Sequence, residues 1–250
     1  MKYPVKLISS ELIGYSKPQR ILFSDDLEYV VKFINNPSGT RVLVNEYVAS
    51  KLAQLLSLPV VPFEIIHISE AFIESNPNLA CNKFLAGDQF CSLYIPNCTH
   101  LTQKFYPPNQ IEITNHNILA GVIVFDHWTS NTDRKENNVL LKPLSSNSYY
   151  FYMIDHGRCF SKSNWSIDSL SNLPQMIVNL RVHLWCLSLL KDCSELSGFI
   201  DRIVALSNDV IYGVIQSIPE NWNVSEQEQE ALFIRLVKVK QLLPMLTLQK

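Results

Sequence analysis

Apolar positions recur along this chain first with strand spacing, then with helix spacing, and each change of spacing marks an element. Residues 29–34 (Tyr-Val-Val-Lys-Phe-Ile) form a strand-length apolar run with one charge in its middle. Period-two alternation puts Lys32 on a face with Val30 and Ile34, and Val31 and Phe33 on the other. From about Arg41 to Leu56 the spacing is helical, with Val44, Tyr47, Val48, Leu52 and Leu55 as one stripe and Thr40 or Ser38 as cap. An early hairpin near Leu12 to Phe23, a strand near Pro62 to Ile68 and a last strand from Cys91 to Ile95 complete this half. Residues 69–88, which contain Asn, Pro and Gly, read as a surface excursion, and Pro96 and Asn97 begin a hinge.

Further on, residues 118–125 (Ile-Leu-Ala-Gly-Val-Ile-Val-Phe) are apolar on every side, which suits a helix buried in the centre of a domain. Residues 139–141 and 149–154 are strand-like runs flanking a turn from Pro143 to Ser148, so they predict a hairpin. A polar, serine-rich stretch from Arg158 to Pro174 precedes helices predicted at about 175–191, 195–217 and 225–248, the last capped by Ser225. In the second of these, Leu196, Phe199, Ile203, Leu206, Val210 and Val214 trace a core-facing stripe. The expected fold class is α+β, and 250 residues can make one two-lobed domain or two small ones.

Composition narrows the function classes. At 47% hydrophobic and 18% charged, the chain is globular rather than disordered. A net charge of −2 gives no basic footprint, so no nucleic-acid partner is expected. No apolar run approaches the roughly 20 residues that span a bilayer, and Met1 to Lys6 lacks a signal peptide's apolar region. No membrane partner is expected, and the expected compartment is the cytoplasm. Six cysteines and six histidines show neither Cys-x-x-Cys nor His-x-x-x-His spacing, which disfavours zinc or a disulfide framework.

The chemistry-bearing residues sit between the two patterns. Asn131-Thr132-Asp133-Arg134-Lys135-Glu136-Asn137-Asn138 is followed by Asp155-His156-Gly157. Singly, each Asp or Asn reads as a turn residue bonding local backbone. As an ordered set they supply what phosphoryl transfer from ATP needs: a carboxylate (Asp133) to orient a hydroxyl, and an amide oxygen (Asn138) and second carboxylate (Asp155) for magnesium. Folding the hairpin symmetrically about Ser146 and Asn147 places Asn138 opposite Asp155, with Cβ atoms about 5 Å apart. Magnesium needs only one or two protein oxygens, the rest coming from phosphates and water. Lys32, costly on a half-buried strand unless paired, has a candidate partner in Glu46 on the following helix.

These residues resemble the HipA-like kinases, in particular a short single-domain bacterial branch. The resemblance lies in Tyr-Val-Val-Lys at 29–32, Val-Asn-Glu-Tyr at 44–47, Leu-Pro-Val-Val-Pro at 58–62, Asn-x-Asp-Arg-x-x-x-Asn at 131–138, Ile-Asp-His-Gly at 154–157 and Ile-Pro-Glu-Asn-Trp at 218–222. It implies a two-lobed kinase fold with Mg-ATP between the lobes, residues 1–95 forming a small β-rich lobe with one helix and residues 96–250 a larger helical lobe, together one domain. Lys32 would contact the phosphates and Glu46 would position it; Asp133 would be the catalytic base, and Asn138 and Asp155 the Mg2+ ligands. Val30 would line the nucleotide site, and backbone at Leu93, Tyr94 and Ile95 would meet the adenine edge. Two departures stand out: a single Gly14 beside Ser16 and Lys17 in place of a glycine-rich phosphate loop, and Lys135 where related loops often carry histidine. Ser16 or Lys17 would then contact phosphate. A protein serine or threonine is the leading acceptor, with a small-molecule hydroxyl as the other choice. The rival readings are a pseudokinase that binds nucleotide without transfer, and a helical scaffold that binds none.

Overall fold

A computed structural model of the chain describes residues 2–9, 12, 14–103, 110–160, 162–173, 180–192 and 194–245. The first lobe is built on β1 (Pro4–Ser9), β2 (Gln19–Phe23), β3 (Glu28–Lys32), α1 (Arg41–Leu55), β4 (Phe63–Ile68), α2 (Glu70–Glu74), α3 (Pro77–Cys81) and β5 (Gly87–Leu93). Its strands form one antiparallel sheet in the order β1-β2-β3-β5-β4. Alternation sorts β3 as its pattern predicts: Tyr29 and Val31, with Phe33 just beyond, enter a core with Ile21, Phe23 and Ile66. Lys32 is carried on the opposite face.

That core also takes in Ile73, Leu79 and Phe84. The 69–88 segment is largely exposed, as expected, but it is ordered: it folds into α2 and α3, covers the sheet, and supplies the first residues of β5. Two five-residue helices are too short to show a helical period, which is why composition alone misreads them. The hinge strand is correspondingly earlier than expected, ending at Leu93 instead of Ile95.

Helix α1 departs from its predicted stripe in the other direction. Every residue from Val42 to Ser50 is buried, Asn45 and Glu46 included, while Leu55 is exposed. A helix buried all round lies between layers rather than on a surface. Here the layers are the sheet on one side and the helical lobe on the other.

The second lobe begins with β6 (Thr99–His100) and β7 (Glu112–Ile113), then α4 (Leu119–Trp128), every residue of which is buried. A Cβ on Gly121 would come within 2.4 Å of a Phe199 ring carbon and 2.6 Å of Leu58 Cδ2, so only glycine fits that crossing. Strands β8 (Val139–Pro143) and β9 (Ser148–Met153) form the predicted hairpin inside a small sheet ordered β6-β8-β9-β7. The remainder is α5 (Ile167–Ser171), α6 (Arg181–Leu189), α7 (Ser194–Ala205), α8 (Asn208–Gln216) and α9 (Glu226–Leu242). The helix expected over 195–217 is broken in two because Ser207 leaves the helical backbone and its hydroxyl caps the Val210 N–H. The start of the helix expected at 175 and the last residues of the one expected to reach 248 lie outside the described residues.

Side chains join the C-terminal helical segment to the first lobe. Trp222 donates from its indole nitrogen to the Asp88 carbonyl (2.7 Å), the Tyr47 hydroxyl donates to Ser217 Oγ (3.0 Å), and Arg41 pairs with Glu228 (2.5 Å). Near the hinge, the Met153 N–H donates to the Pro59 carbonyl (2.9 Å), tying the end of β9 to the segment before β4.

Candidate active site

Lys32 ends β3 and points away from the first-lobe core, toward α1. Its ammonium donates to Glu46 Oε1 and, at 2.9 Å, to Asp155 Oδ1. Both Lys32 and Glu46 are buried. Burial alone would push the Lys32 ammonium down, but the Asp155 and Glu46 carboxylates more than offset it and hold it above its ordinary value. Burial would likewise raise Glu46, yet the Lys32 charge and the groups of His156 hold its carboxyl well below the usual carboxylate range. The second Glu46 oxygen accepts the His156 backbone N–H at 2.9 Å. One glutamate therefore braces the strand lysine and the loop that carries Asp155.

The Asp155 loop is shaped for this contact. Asp155 adopts a left-handed backbone (φ 56°), and a Cβ on Gly157 would lie 3.0 Å from Val42 and 3.3 Å from Asp155 Oδ1. The hairpin register corrects one expectation. Val139 pairs with Met153 and Pro143 with Tyr149, so Asn138 lies opposite Ile154, not Asp155. The Ile154 N–H donates to the Asn138 carbonyl (3.1 Å). The turn is centred on Ser146, where the Leu144 and Ser145 N–H groups both reach the Ser148 carbonyl. A one-residue slip would reverse a strand's faces, but β9 has ended, and the left-handed Asp155 redirects its carboxylate to Lys32.

The 131–138 segment carries the second group. Asn138 Nδ2 donates to the Asp133 carbonyl (2.7 Å) and lies 3.4 Å from Asp133 Oδ2, which turns the amide nitrogen inward. The Asp133 N–H donates to Asn131 Oδ1 (3.0 Å), and Lys135 lies 2.5 Å from Asp133 Oδ1 with its side chain 60% exposed. Beneath this loop is a buried cluster of Asp126, Asn131, Arg134 and His183, to which the sequence pattern assigns no role. Arg134, fully buried, grips Asp126 of α4 through Nε to Oδ2 (2.9 Å) and Nη2 to Oδ1 (3.0 Å). Its Nη1 also donates to the carbonyls of Asn138 (3.0 Å) and Ile154 (2.7 Å). Asn131 Nδ2 and the His183 ring complete the coordination of Asp126 at 3.0 Å each. Burial would raise Asp126, but Arg134 and His183 hold it well below the ordinary carboxylate range. The signal available in the sequence was Asp126 directly after an apolar run with no exposed face.

The other expected contacts divide. Val30 lies on the Lys32 face of β3. Ser16 is buried, while Lys17 sits at φ 48° and its ammonium donates to Asn82 Oδ1 at 3.0 Å, apart from the Lys32 group. At the hinge the Leu93 N–H donates to the Pro62 carbonyl and the Tyr94 N–H to the Glu28 carbonyl, both at 2.8 Å. Two donors expected at an adenine edge are thus engaged within the lobe, and Ile95 is the next along the chain. Serines 166, 169 and 171 act as local caps: Ser166 and Ser169 form a capping box on α5, and Ser171 bonds the Asp168 carbonyl. Ser161 and Cys193 lie outside the described residues. Cys91, Cys159 and Cys186 are buried, and burial pushes their thiols up.

A five-stranded sheet with one strand lysine paired to the next helix, set against a helical lobe with an Asp/Asn loop and a hairpin, defines a two-lobed protein-kinase-like fold. Solved structures agree on that class. The Helicobacter pylori proinflammatory kinase CtkA is similar at TM-score 0.55 and 16% identity, over 97% of this chain and 96% of that one. A Golgi casein kinase with Mn/ADP bound matches at TM-score 0.56 and 12% identity, over 96% of this chain and 72% of that one. A search of curated proteins finds no match. The family model described as HipA-like kinase matches residues 5–249. The chain belongs to the HipA-like kinase family and is a kinase-type phosphotransferase. Among the described residues no helix is long and apolar enough to cross a membrane.

Proposed function

We propose that the chain moves the γ-phosphoryl of ATP to a hydroxyl, with a protein serine or threonine as acceptor. The supporting observation is the continuous hydrogen-bonded path from Glu46 through Lys32 to Asp155, with Asp133 and Asn138 bonded to each other and tied to Asp155's strand end by Arg134. Lys32 grips the phosphates and Glu46 holds it extended. Asp133 accepts a hydrogen bond from the incoming hydroxyl and orients it. Positioning and charge stabilisation carry most of such a reaction.

The residues present fit a magnesium ion. Asn138 commits its amide nitrogen to Asp133, which leaves Oδ1 to face a cation, and the Asp155 side chain is 44% exposed beside Lys32. One amide oxygen and one carboxylate suit magnesium, which draws its other ligands from phosphates and water. Asn138 and Asp155 would hold the ion, which would supply positive charge to offset the negative charge of the phosphates. A compartment in the cytoplasm fits a chain that uses ATP.

The second reading is a pseudokinase. It draws support from Lys135, whose ammonium covers an Asp133 oxygen at 2.5 Å, and from Lys17, which is turned to Asn82. Calorimetry with Mg-ATP separates the readings together with a transfer assay. Wild type binds, Asp155→Asn weakens binding at least about tenfold through loss of a charged ligand, and Asp133→Asn binds normally with transfer reduced at least about 100-fold. Tight binding with no transfer to protein or small-molecule hydroxyls selects the pseudokinase. No binding by folded wild type overturns both.

A further inference from the structure

The segment directly after Asp155 is held by a residue that no part of the proposed chemistry uses. Asn45 is fully buried in the middle of α1. Its Nδ2 donates to the carbonyls of Gly157 (2.9 Å), Cys159 (3.1 Å) and Lys162 (2.9 Å), and its Oδ1 accepts the Trp165 indole N–H (2.7 Å). One side chain thus gathers four groups from nine consecutive residues. Only a primary amide provides both donors and an acceptor at this reach; aspartate keeps the acceptor and loses the donors. Neighbouring residues on α1 act on the same stretch: Glu46 receives the His156 N–H, and Val42 packs against Gly157. On its other side the segment meets the end of α4, where the Phe160 N–H donates to the Thr129 carbonyl (2.6 Å) and Cys159 Sγ lies 3.6 Å from Thr129 Oγ1. Thr129 lies two residues before Asn131 and the loop that carries Asp133.

We infer that Asn45 is a positioning residue: by holding Gly157, Cys159, Lys162 and Trp165 it latches residues 157–160 and 162–165 between α1 and the end of α4, and so sets the spacing between the Lys32–Glu46–Asp155 group and the Asp133–Asn138 loop. The kinetic consequence rests on the kinase reading; the structural consequence does not.

The test pairs hydrogen exchange with kinetics in the full chain. In Asn45→Ala, the buried Gly157 and Cys159 carbonyls, the part-buried Lys162 carbonyl and one indole N–H lose their partner, and exchange across 157–165 rises at least about tenfold while α4 and α9 stay protected. Transfer kcat falls about tenfold or more with KM for Mg-ATP within about threefold, because alignment and not nucleotide contact is lost. Asn45→Asp behaves like Asn45→Ala, and Trp165→Phe, which removes one bond of four, gives a smaller change of the same pattern. Unchanged exchange at 157–165 overturns the latch. Exchange rising uniformly along the chain, with kcat and KM both following loss of fold, overturns the positioning role. If wild type transfers nothing, the kinase reading fails while the exchange pattern still decides the latch.

Discussion

At the scale of single residues, buried charges dominate the site, and each is stable only because of its partners. Glu46 and Asp126 are both held well below the usual carboxylate range, by Lys32 with His156 and by Arg134 with His183. A depressed folded pKa adds stability that is present above the unfolded value of about 4 and is lost as pH falls toward the folded value. Lys32 is held above its ordinary value, so its contribution is full below about pH 10 and is lost only as pH rises through the folded value. Urea unfolding followed across pH should therefore show a plateau through neutrality and a fall below about pH 4.5. Asp126→Asn should flatten the acid limb by up to about 1.4 kcal/mol per pH unit. At pH 7 it should cost about 3–5 kcal/mol, since Arg134 is left buried without its counter-charge. An unchanged acid limb in that variant would remove Asp126 from the account.

Residue-scale chemistry was unevenly legible. Lys32 announced itself as a lone charge in an apolar strand, and Glu46 as the nearest acid on the next helix. Asn45, Asn131 and Arg134 did not, because a polar residue is read as solvent-facing until burial is known. Lys17 was legible as a cation but not in its direction: a left-handed turn aims it at Asn82.

At the scale of elements, two helices decide where the site residues go. Helix α4 delivers the 131–138 loop and has no exposed residue. Its crossing with α7 requires Gly121, whose position admits no Cβ beside Phe199 and Leu58. Gly121→Ala gains helix propensity worth up to about 1 kcal/mol, but overpacking costs about 1–3 kcal/mol and the contacts here are shorter than any normal Cβ contact. The expected net result is a lower Tm with reduced transfer, as the loop beyond α4 shifts; a Tm equal to or above wild type would show that Phe199 moves aside freely. Helix α1 was placed correctly in sequence but not in environment. Its stripe suggested one wet face, whereas the tertiary structure buries Asn45 and Glu46 by closing the second lobe over them. The 195–217 stripe was continuous in hydrophobicity, and only the Ser207 cap, a local hydrogen bond, divides it.

At the scale of the whole molecule, the lobes are sewn together by residues distant in sequence. Trp222, fully buried, packs edge-on against Tyr47 at 5.9 Å and donates to the Asp88 carbonyl. Arg41 joins the start of α1 to Glu228 of α9. Contacts of this kind couple the stability of the two lobes. Thermal unfolding followed by tryptophan fluorescence and by far-ultraviolet circular dichroism should give one coincident transition. Trp222→Ala should lower stability by about 3–5 kcal/mol while keeping that single transition. Two separated transitions would mean that the lobes unfold as independent units.

The sequence by itself determined the α+β class, the Lys32 strand, the α1 and α4 helices, the 139–153 hairpin, and the residue types that stand at each end of the 131–138 loop. Those follow from period, cap and turn chemistry, all of which act within a few residues of the chain. What only the tertiary structure decided was which polar residues are dry, which way the Asp155 carboxylate turns, and which partners Glu46, Asn45 and Arg134 take. Several of these depend on groups more than a hundred residues away in the chain, up to the 123 that separate Lys32 from Asp155. Their strength arises only once packing has excluded water, when an unpaired polar group becomes too costly to leave.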